Sequence, residues 1–235
     1  VTNEGYIKRV PYRSYSSSNG EDTLLKENDY TIGMYNINTT DVMLLFTNLG
    51  NYLYLPVYDI PECKWKDLGK HISNIIPLMD NEKIVYSMFV SDFDEEKYIT
   101  SFSKNGMIKR TLLSEFKAQR YSKPIKMMNL KDGDEIVSVT DSSDSEIFIA
   151  TSCGYGLWYD VSEVPVVGIK AAGVKSINLK DDYVVSGILF NAGSEYITIL
   201  TDKGTGKRVK LLEFEKTSRA KRGILLMKVI KSNPS

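Results

Sequence analysis

Three pairs of adjacent cations follow a glycine at one spacing: Lys8-Arg9 after Gly5, Lys109-Arg110 after Gly106, and Lys207-Arg208 after Gly204. Ammonium and guanidinium groups repeated at one phase are suited to holding phosphate oxygens, a contact that fixes position without reading sequence. Catalytic equipment is scarcer. The single histidine, His71, follows a lysine and has no cysteine or acid at metal-ligand spacing, so a structural hydrogen bond is its simplest role. No zinc motif is present, and Gly204-Thr205-Gly206-Lys207 reads as a turn rather than a phosphate loop. The acidic runs Asp92-Phe93-Asp94-Glu95-Glu96 and Asp141-Ser142-Ser143-Asp144 lack the spacing of a calcium loop and read as solvated hairpin tips. The expectation is no catalytic residue, no metal site and no cofactor held by this chain.

The cations are positioned by a repeat. Ser103-Lys104-Asn105-Gly106-Met107-Ile108-Lys109-Arg110 has relatives beginning at Thr2, Thr47, Thr151 and Thr201, with turn glycines at Gly5, Gly50, Gly106, Gly154 and Gly204. A period of 45 to 56 residues points to a propeller-like array. Short runs such as Val42-Met43-Leu44-Leu45-Phe46 and Tyr196-Ile197-Thr198-Ile199-Leu200 lead into each turn, which makes each unit open as a β-hairpin. A second mark, Gly69, Gly173 and Gly223, lies 19 residues after Gly50, Gly154 and Gly204. The third repeat has Lys123-Pro124-Ile125 instead, which predicts a different backbone path there. A later turn, Lys131-Asp132-Gly133-Asp134, leads into a strand over Glu135-Ile136-Val137-Ser138-Val139. About four strands per unit are the complement of a propeller blade.

The predicted fold is therefore all-β, a single domain over residues 1–235 with about five four-stranded blades. Its units lie near 1–46, 47–102, 103–150, 151–200 and 201–235. The first unit lacks its leading strand and the last its acidic half, which leaves the array closed, open, or short of a sixth blade. Helix signals are weak, and Lys231-Ser232-Asn233-Pro234-Ser235 reads as a frayed tail.

The overall charge, 30 basic against 30 acidic residues, conceals a pattern. Residues 103–131 hold eight Lys and Arg against Glu115, a net of +7, and residues 203–231 hold ten against Glu213 and Glu215, a net of +8. Residues 5–20 add +3. Residues 132–150 reverse the sign to −6, and 21–46, 79–102 and 181–202 each carry −4. Basic and acidic halves alternate along the repeats.

Hydrophobic residues make up 42% of the chain and no apolar run reaches membrane-spanning length, so no membrane partner is expected. Cys63 and Cys153 are few and far apart, as in a reducing compartment, and the cytoplasm is the expected location. The chain opens on Val1 inside a repeat, which reads as a fragment of a longer protein. Tyr52, Tyr54, Phe102, Phe148 and Tyr196 fall at alternating strand positions, where packing accounts for them more simply than base stacking.

Gly5-Tyr6-Ile7-Lys8-Arg9-Val10-Pro11, Asn105-Gly106-Met107-Ile108-Lys109-Arg110, Ala171-Ala172-Gly173-Val174 and Arg219-Ala220-Lys221-Arg222-Gly223 resemble the repeat motifs of the C-terminal domain of the A subunit of bacterial type II topoisomerases. The resemblance covers essentially the whole chain. It implies a β-pinwheel, a propeller-like disc whose blades exchange strands and whose positive rim binds and bends duplex DNA. It also implies a parent enzyme that uses ATP and Mg in other domains. The partners so implied, in a heterotetramer near the nucleoid, are the rest of the A subunit, plus the ATPase B subunit. Gyrase members carry a Gln-Arg-Arg-Gly-Gly-Lys-Gly box in the first unit. Here the stretch is Ser14-Tyr15-Ser16-Ser17-Ser18-Asn19-Gly20-Glu21-Asp22, without a cation, which resembles the topoisomerase IV branch instead. Gln119-Arg120-Tyr121-Ser122 mimics the family's catalytic Arg-Tyr dipeptide but lies in a repeat loop, so no nucleophile is carried over.

The cations expected to face DNA are Lys8, Arg9, Arg13, Lys109, Arg110, Arg120, Lys123, Lys207, Arg208, Arg219, Lys221 and Arg222, with Lys64, Lys66, Lys170 and Lys175 extending the path. The readings set against this are a gyrase A C-terminal domain with a degenerate box and, from another class, a propeller used as a protein-interaction scaffold.

Overall fold

A computed structural model describes residues 1–227. The expected frayed tail, together with Lys228 and Lys231, lies outside the described residues. Strand content dominates. The first repeat contributes β1 (Tyr6–Ile7), and the second β2 (Val42–Thr47), β3 (Asn51–Pro56), β4 (Lys70–His71) and β5 (Ile84–Val90). The third gives β6 (Tyr98–Ser103), β7 (Met107–Leu112), β8 (Ile125–Lys126) and β9 (Ile136–Thr140). The fourth gives β10 (Glu146–Thr151), β11 (Tyr155–Asp160), β12 (Val174–Lys175) and β13 (Val184–Phe190), and the fifth β14 (Tyr196–Leu200), β15 (Gly206–Lys210) and β16 (Ile224–Leu225).

The sheets do not follow the repeat boundaries. Their orders are β5-β2-β3-β8, β9-β6-β7-β12 and β13-β10-β11-β16, with two-stranded sheets β1-β4 and β14-β15. The outer strand of each four-stranded sheet comes from the following repeat: β8 pairs with β3, β12 with β7 and β16 with β11, all antiparallel. β4 joins β1 in the same way. Strand exchange, implied by the resemblance, is thus present, and three of the five sheets reach four strands.

The chain gathers into two compact units, one of residues 1–96, 113–131 and 169–171, the other of 97–112, 132–168 and 172–235. Exchange explains why the third repeat is divided between them: its hairpin belongs to one sheet and its loop, with β8, completes another. In the first unit β2 and β3 are buried on both faces, from Leu44, Phe46 and Leu53 at 0% exposure to Tyr54 at 9%. They read as continuous apolar runs instead of alternating ones. In the second unit Phe102, Ile108, Ile147, Ile149, Leu157 and Tyr159 form one core, and Phe148, Val209, Leu211 and Phe214 another.

Each hairpin turns by the same device. The glycine N–H donates to the carbonyl three residues back, as Gly106 does to Ser103 and Gly154 to Thr151, both at 3.0 Å. The Ser or Thr at that position then accepts from the N–H four residues ahead: Tyr6 to Thr2, Met107 to Ser103, Tyr155 to Thr151 and Thr205 to Thr201, each at 3.1 Å. A carboxylate from the acidic half completes the lock. Thr47 Oγ1 donates to Glu82 at 2.7 Å and Ser103 Oγ to Asp134 at 2.7 Å, while Thr2 and Thr151 face Asp29 and Asp182. Part of the negative charge is therefore structural.

The second glycine mark has a steric origin. Gly173 has φ +81, and a Cβ there would lie 2.3 Å from the carbonyl oxygen of Ile108. The segment entering the exchanged strand passes so close to the preceding sheet that no side chain fits. None of residues 117–124 takes a positive φ, so the third repeat does follow a different path around Pro124, yet β8 still pairs Ile125 with Tyr52.

Gly173→Ala should cost more than the ~1–2 kcal/mol of a left-handed alanine, because the clash adds to it. Gly204→Ala, at φ +78 with nothing within 4 Å of the added methyl, should cost only that amount. Urea denaturation of the two variants would compare them directly. For the carboxylate lock, burial raises the pKa of Asp29 and Asp182, but hydrogen bonds from the turn hydroxyls and N–H groups outweigh it and leave both below the ordinary 3.8. The unfolded chain then binds more protons at acid pH, so the lock stabilises the fold above the unfolded pKa and is lost as pH falls through the folded values. Asp182→Asn should flatten the acid limb of a stability-versus-pH curve below about 4.

Candidate nucleic-acid interface

Strand alternation divides the glycine-phased cation pairs. The position three residues after the turn glycine holds Leu53 and Leu157 in the second and fourth repeats, at 0% and 2% exposure. Lys109 occupies the same phase and is itself only 2% exposed, so it turns inward. Lys8 is half-buried, with Nζ directed at Thr23 Oγ1 and the carbonyls of Trp65 and Asp67, and burial pulls its pKa below the ordinary lysine range. Lys207 is exposed and donates to the Leu226 carbonyl at 3.3 Å.

The next position lies on the other side of the strand and holds Arg9, Arg110 and Trp158, half-buried, Arg208, exposed, and Tyr54, which is buried. Arg9 is occupied by Glu62 at 3.4 Å and the Ile60 carbonyl. Arg110 and Arg208 instead lie over tyrosine rings, Cζ being 4.0 Å from the centroid of Tyr98 and 3.9 Å from that of Tyr196. In the fourth repeat Trp158 donates to Glu146 at 2.7 Å, and Lys216 bridges Glu146 and Asp160 at 2.8 and 3.1 Å. Hydrogen bonds from Ser162 and Lys216 hold the Asp160 carboxyl at about 2. That cation is neutralised in place.

The exposed cations concentrate on a different element, the segment from the 3₁₀ turn that ends each hairpin to the exchanged strand. These turns are Val57–Asp59, Leu113–Phe116, Val161–Glu163 and Leu211–Glu213. After the second of them come Lys117, Arg120 and Lys123, all exposed, with no acid before Lys126. Lys170 and Lys175 follow the third, Lys175 donating to Asn178 at 2.7 Å. Lys216, Arg219, Lys221 and Arg222 follow the fourth. Of these, Arg219 is half-buried and fastened: its N–H donates to Glu163 Oε2 at 2.7 Å, Nε to the Glu163 carbonyl at 3.0 Å and Nη1 to the Lys175 carbonyl. Arg219 thus pins one exchange segment to the previous one. Lys221 and Arg222 are exposed beside an apolar groove of about 290 Å³ lined by Phe148, Trp158 and Phe214. Lys64 and Lys66, in the second repeat, share their segment with Glu62 and Asp67.

In the first repeat Arg13 is exposed on a five-residue helix, α1 (Tyr12–Ser16), where helix signals were weak. A groove of about 640 Å³ is bordered by Ile7, Met43, Tyr15 and Trp65. His71 has a structural hydrogen-bonding role: Nδ1 accepts from the Ser73 N–H and caps the turn Ile72–Asn74, so Nε2–H donates to the Glu4 carbonyl at 2.9 Å. Asp141 pairs with Lys97 at 3.1 Å and Asp144 accepts from Ser142. Among the described residues no cluster of His, Cys, Asp or Glu has metal-binding geometry, no helix is long and apolar enough to cross a membrane, and both cysteines are free thiols. Tyr52, Tyr54, Phe102 and Phe148 are buried in packing as expected. Tyr196 is not, at 39% exposure, because it lies on the open face of the two-stranded fifth sheet.

The chain belongs to the family of the DNA gyrase C-terminal domain, beta-propeller, whose model matches residues 41–91, 97–141, 145–191 and 195–231. These segments are the second to fifth repeats. Over its full length the chain is 49% identical to the A subunit of DNA topoisomerase 4 from Bacillus subtilis (strain 168) and 41% identical to that from Staphylococcus epidermidis, spanning 29% of each. A solved C-terminal domain of DNA topoisomerase IV superposes with a TM-score of 0.94 at 49% identity, over all of this chain and 73% of that one. A DNA gyrase A C-terminal domain shares the fold at 22% identity, with a TM-score of 0.69 over 95% of this chain and 74% of that one.

The acids of the turn lock were missed in sequence. Their signal is a carboxylate 27 to 35 residues after the turn Ser or Thr: Asp29, Glu82, Asp134 and Asp182. Lys109→Glu should destabilise the protein by several kcal/mol, since it places a reversed charge in a buried position. Arg120→Glu and Lys123→Glu, both exposed, should stay within about 0.5 kcal/mol of the parent. Thermal or urea denaturation separates these outcomes.

Proposed function

We propose that this chain is a non-catalytic module that binds duplex DNA with little sequence preference and bends it. Its parent would be the A subunit of a topoisomerase IV-type enzyme, working with an ATPase B subunit in ATP-dependent strand passage, decatenation and supercoil relaxation at the bacterial nucleoid. ATP and Mg would belong to other domains of that enzyme. The five repeats act as one β-pinwheel domain in this reading.

The observation that carries the reading is the concentration of exposed cations on the exchange segments, above all Lys117, Arg120 and Lys123 with no acid among them. The same topological element of successive repeats presents ammonium and guanidinium groups, while four of the acids, Asp29, Glu82, Asp134 and Asp182, are taken up in turn locks. Such a surface holds backbone phosphates and is indifferent to base order. Arg13, Lys170, Lys175, Lys207, Lys221 and Arg222 extend the DNA-facing set, with Arg110 and Arg208 beside them. Lys109, turned inward, is left out, and Lys8, Arg9 and Arg219 serve first to fasten the loops they touch. The gyrase alternative is weaker on two grounds: the box position has no cation, and identity to the gyrase A domain is 22% against 49% to the topoisomerase IV domain.

A duplex-binding titration at several salt concentrations tests the proposal. Affinity should fall steeply as salt rises, and Arg120→Glu with Lys123→Glu should reduce the log–log salt slope by roughly 0.9 for each phosphate no longer engaged, equally for unrelated DNA sequences. A salt-insensitive interaction would favour a protein-interaction scaffold instead. Bending is read separately, from the efficiency with which short DNA fragments close into circles in the presence of the protein.

A further inference from the structure

The third and fifth repeats carry the same three side chains at the same spacing: Tyr98, Thr100 and Arg110, and Tyr196, Thr198 and Arg208. Thr100 is the direct cross-strand partner of Arg110, and Thr198 of Arg208, so in each hairpin the threonine and arginine share a face with the tyrosine diagonal to the arginine. In both, the guanidinium carbon sits about one ring thickness above the tyrosine, at 4.0 and 3.9 Å from the centroid. The corresponding positions of the fourth repeat are Glu146 and Trp158, where the local cation, Lys216, is consumed by two carboxylates.

Neither arginine has an acidic partner within ion-pair distance among the described residues. Arg110 Nε and Thr100 Oγ1 are both sealed from solvent with no hydrogen-bond partner. The guanidinium of Arg110 is therefore held at its inner edge by the ring face and not by a hydrogen bond. A planar cation stacked on an aromatic ring keeps its hydrogen-bonding fork in a plane parallel to the ring and free at the outer edge, with less rotamer freedom to lose when an oxyanion binds.

Building on the proposed DNA-binding role, we infer that Tyr98 and Tyr196 are positioning residues that hold Arg110 and Arg208 flat and present their outer N–H groups to phosphodiester oxygens. The two hairpins then form a pair of equivalent phosphate seats on alternate repeats. The tyrosine hydroxyl plays no part; the ring face does.

The test uses the 235-residue chain and a duplex of mixed sequence, titrated over a range of salt. Tyr196, being exposed, can be changed without disturbing a core, and thermal melting confirms that each variant is folded. Arg208→Gln should weaken binding roughly two- to fivefold and lower the salt slope by about 0.9. Tyr196→Leu should weaken binding by a similar factor, with its salt slope moving toward that of Arg208→Gln. Tyr196→Phe should bind as the parent does. The double variant Tyr196→Leu/Arg208→Gln should be no weaker than Arg208→Gln alone. Parent-like binding by Tyr196→Leu, additive losses in the double variant, or parent-like binding by Arg208→Gln would each overturn the inference while leaving DNA binding intact. Absence of salt-sensitive duplex binding by the parent chain would instead remove the underlying reading.

Discussion

The structure depends on a very short piece of antiparallel pairing. Tyr52 with Ile125, Ile108 with Val174, and Gly156 with Ile224 mark where a two-residue strand closes the sheet of the repeat before it. Two residues of ladder are weak alone. They are held because the chain around them is fastened on both sides: the turn-glycine carbonyl accepts from the residues just beyond the exchanged strand, as Gly50 does from Met127 at 2.8 Å and Gly106 from Ser176 at 2.7 Å. On the approach, the carbonyl of Arg9, Arg110 or Trp158 accepts from Cys63, Val167 or Thr217, each at 2.9 Å. Among the described residues, each exchange segment is thus tied down beyond its strand, and those entering β4, β12 and β16 on the approach as well.

That arrangement accounts for where the charge can go. The middle of an exchange segment has no strand partner and no core to fill, so lysine and arginine are tolerated there at little cost to stability. On the hairpin strands, by contrast, period two decides. Lys109 is drawn inward by the phase that gives Leu53 and Leu157 to the core, and Arg110, one residue on, lies half-buried on the opposite face over Tyr98. The acidic halves are less free than their composition suggests, since Asp29, Glu82 and Asp134 are buried beneath the turns and Asp182 is partly covered.

Much of the fold was legible in the chain because turn chemistry is local. The glycine, the Ser or Thr three residues before it and the apolar run ahead of it all act within one hairpin, so the hairpin turns and most strand positions could be placed from residue types alone. The second glycine mark was visible, but its cause was not: Gly173 is required by the Ile108 carbonyl, which lies 65 residues earlier in sequence. The candidate site was read less completely for a related reason. Repeat phase identifies which cations are equivalent, but the side to which each one points depends on the pleat and on what packs against it. Lys109 and Arg110 are indistinguishable as a basic dipeptide and differ in burial, Lys109 being enclosed and Arg110 half-buried. The helix Tyr12–Ser16 escaped because its five residues have no apolar period to announce it.

Strand exchange also bears on how such a chain can change length over evolutionary time. Because each of the second, third and fourth repeats lends a strand backward and borrows one from ahead, a cut inside one of them leaves two sheets incomplete. Removal or duplication of one whole period, wherever its ends fall, recreates the same junction between a hairpin and an incoming strand. Viable length variants of this architecture should therefore come in whole repeats, and each added repeat brings its own exposed basic segment with it.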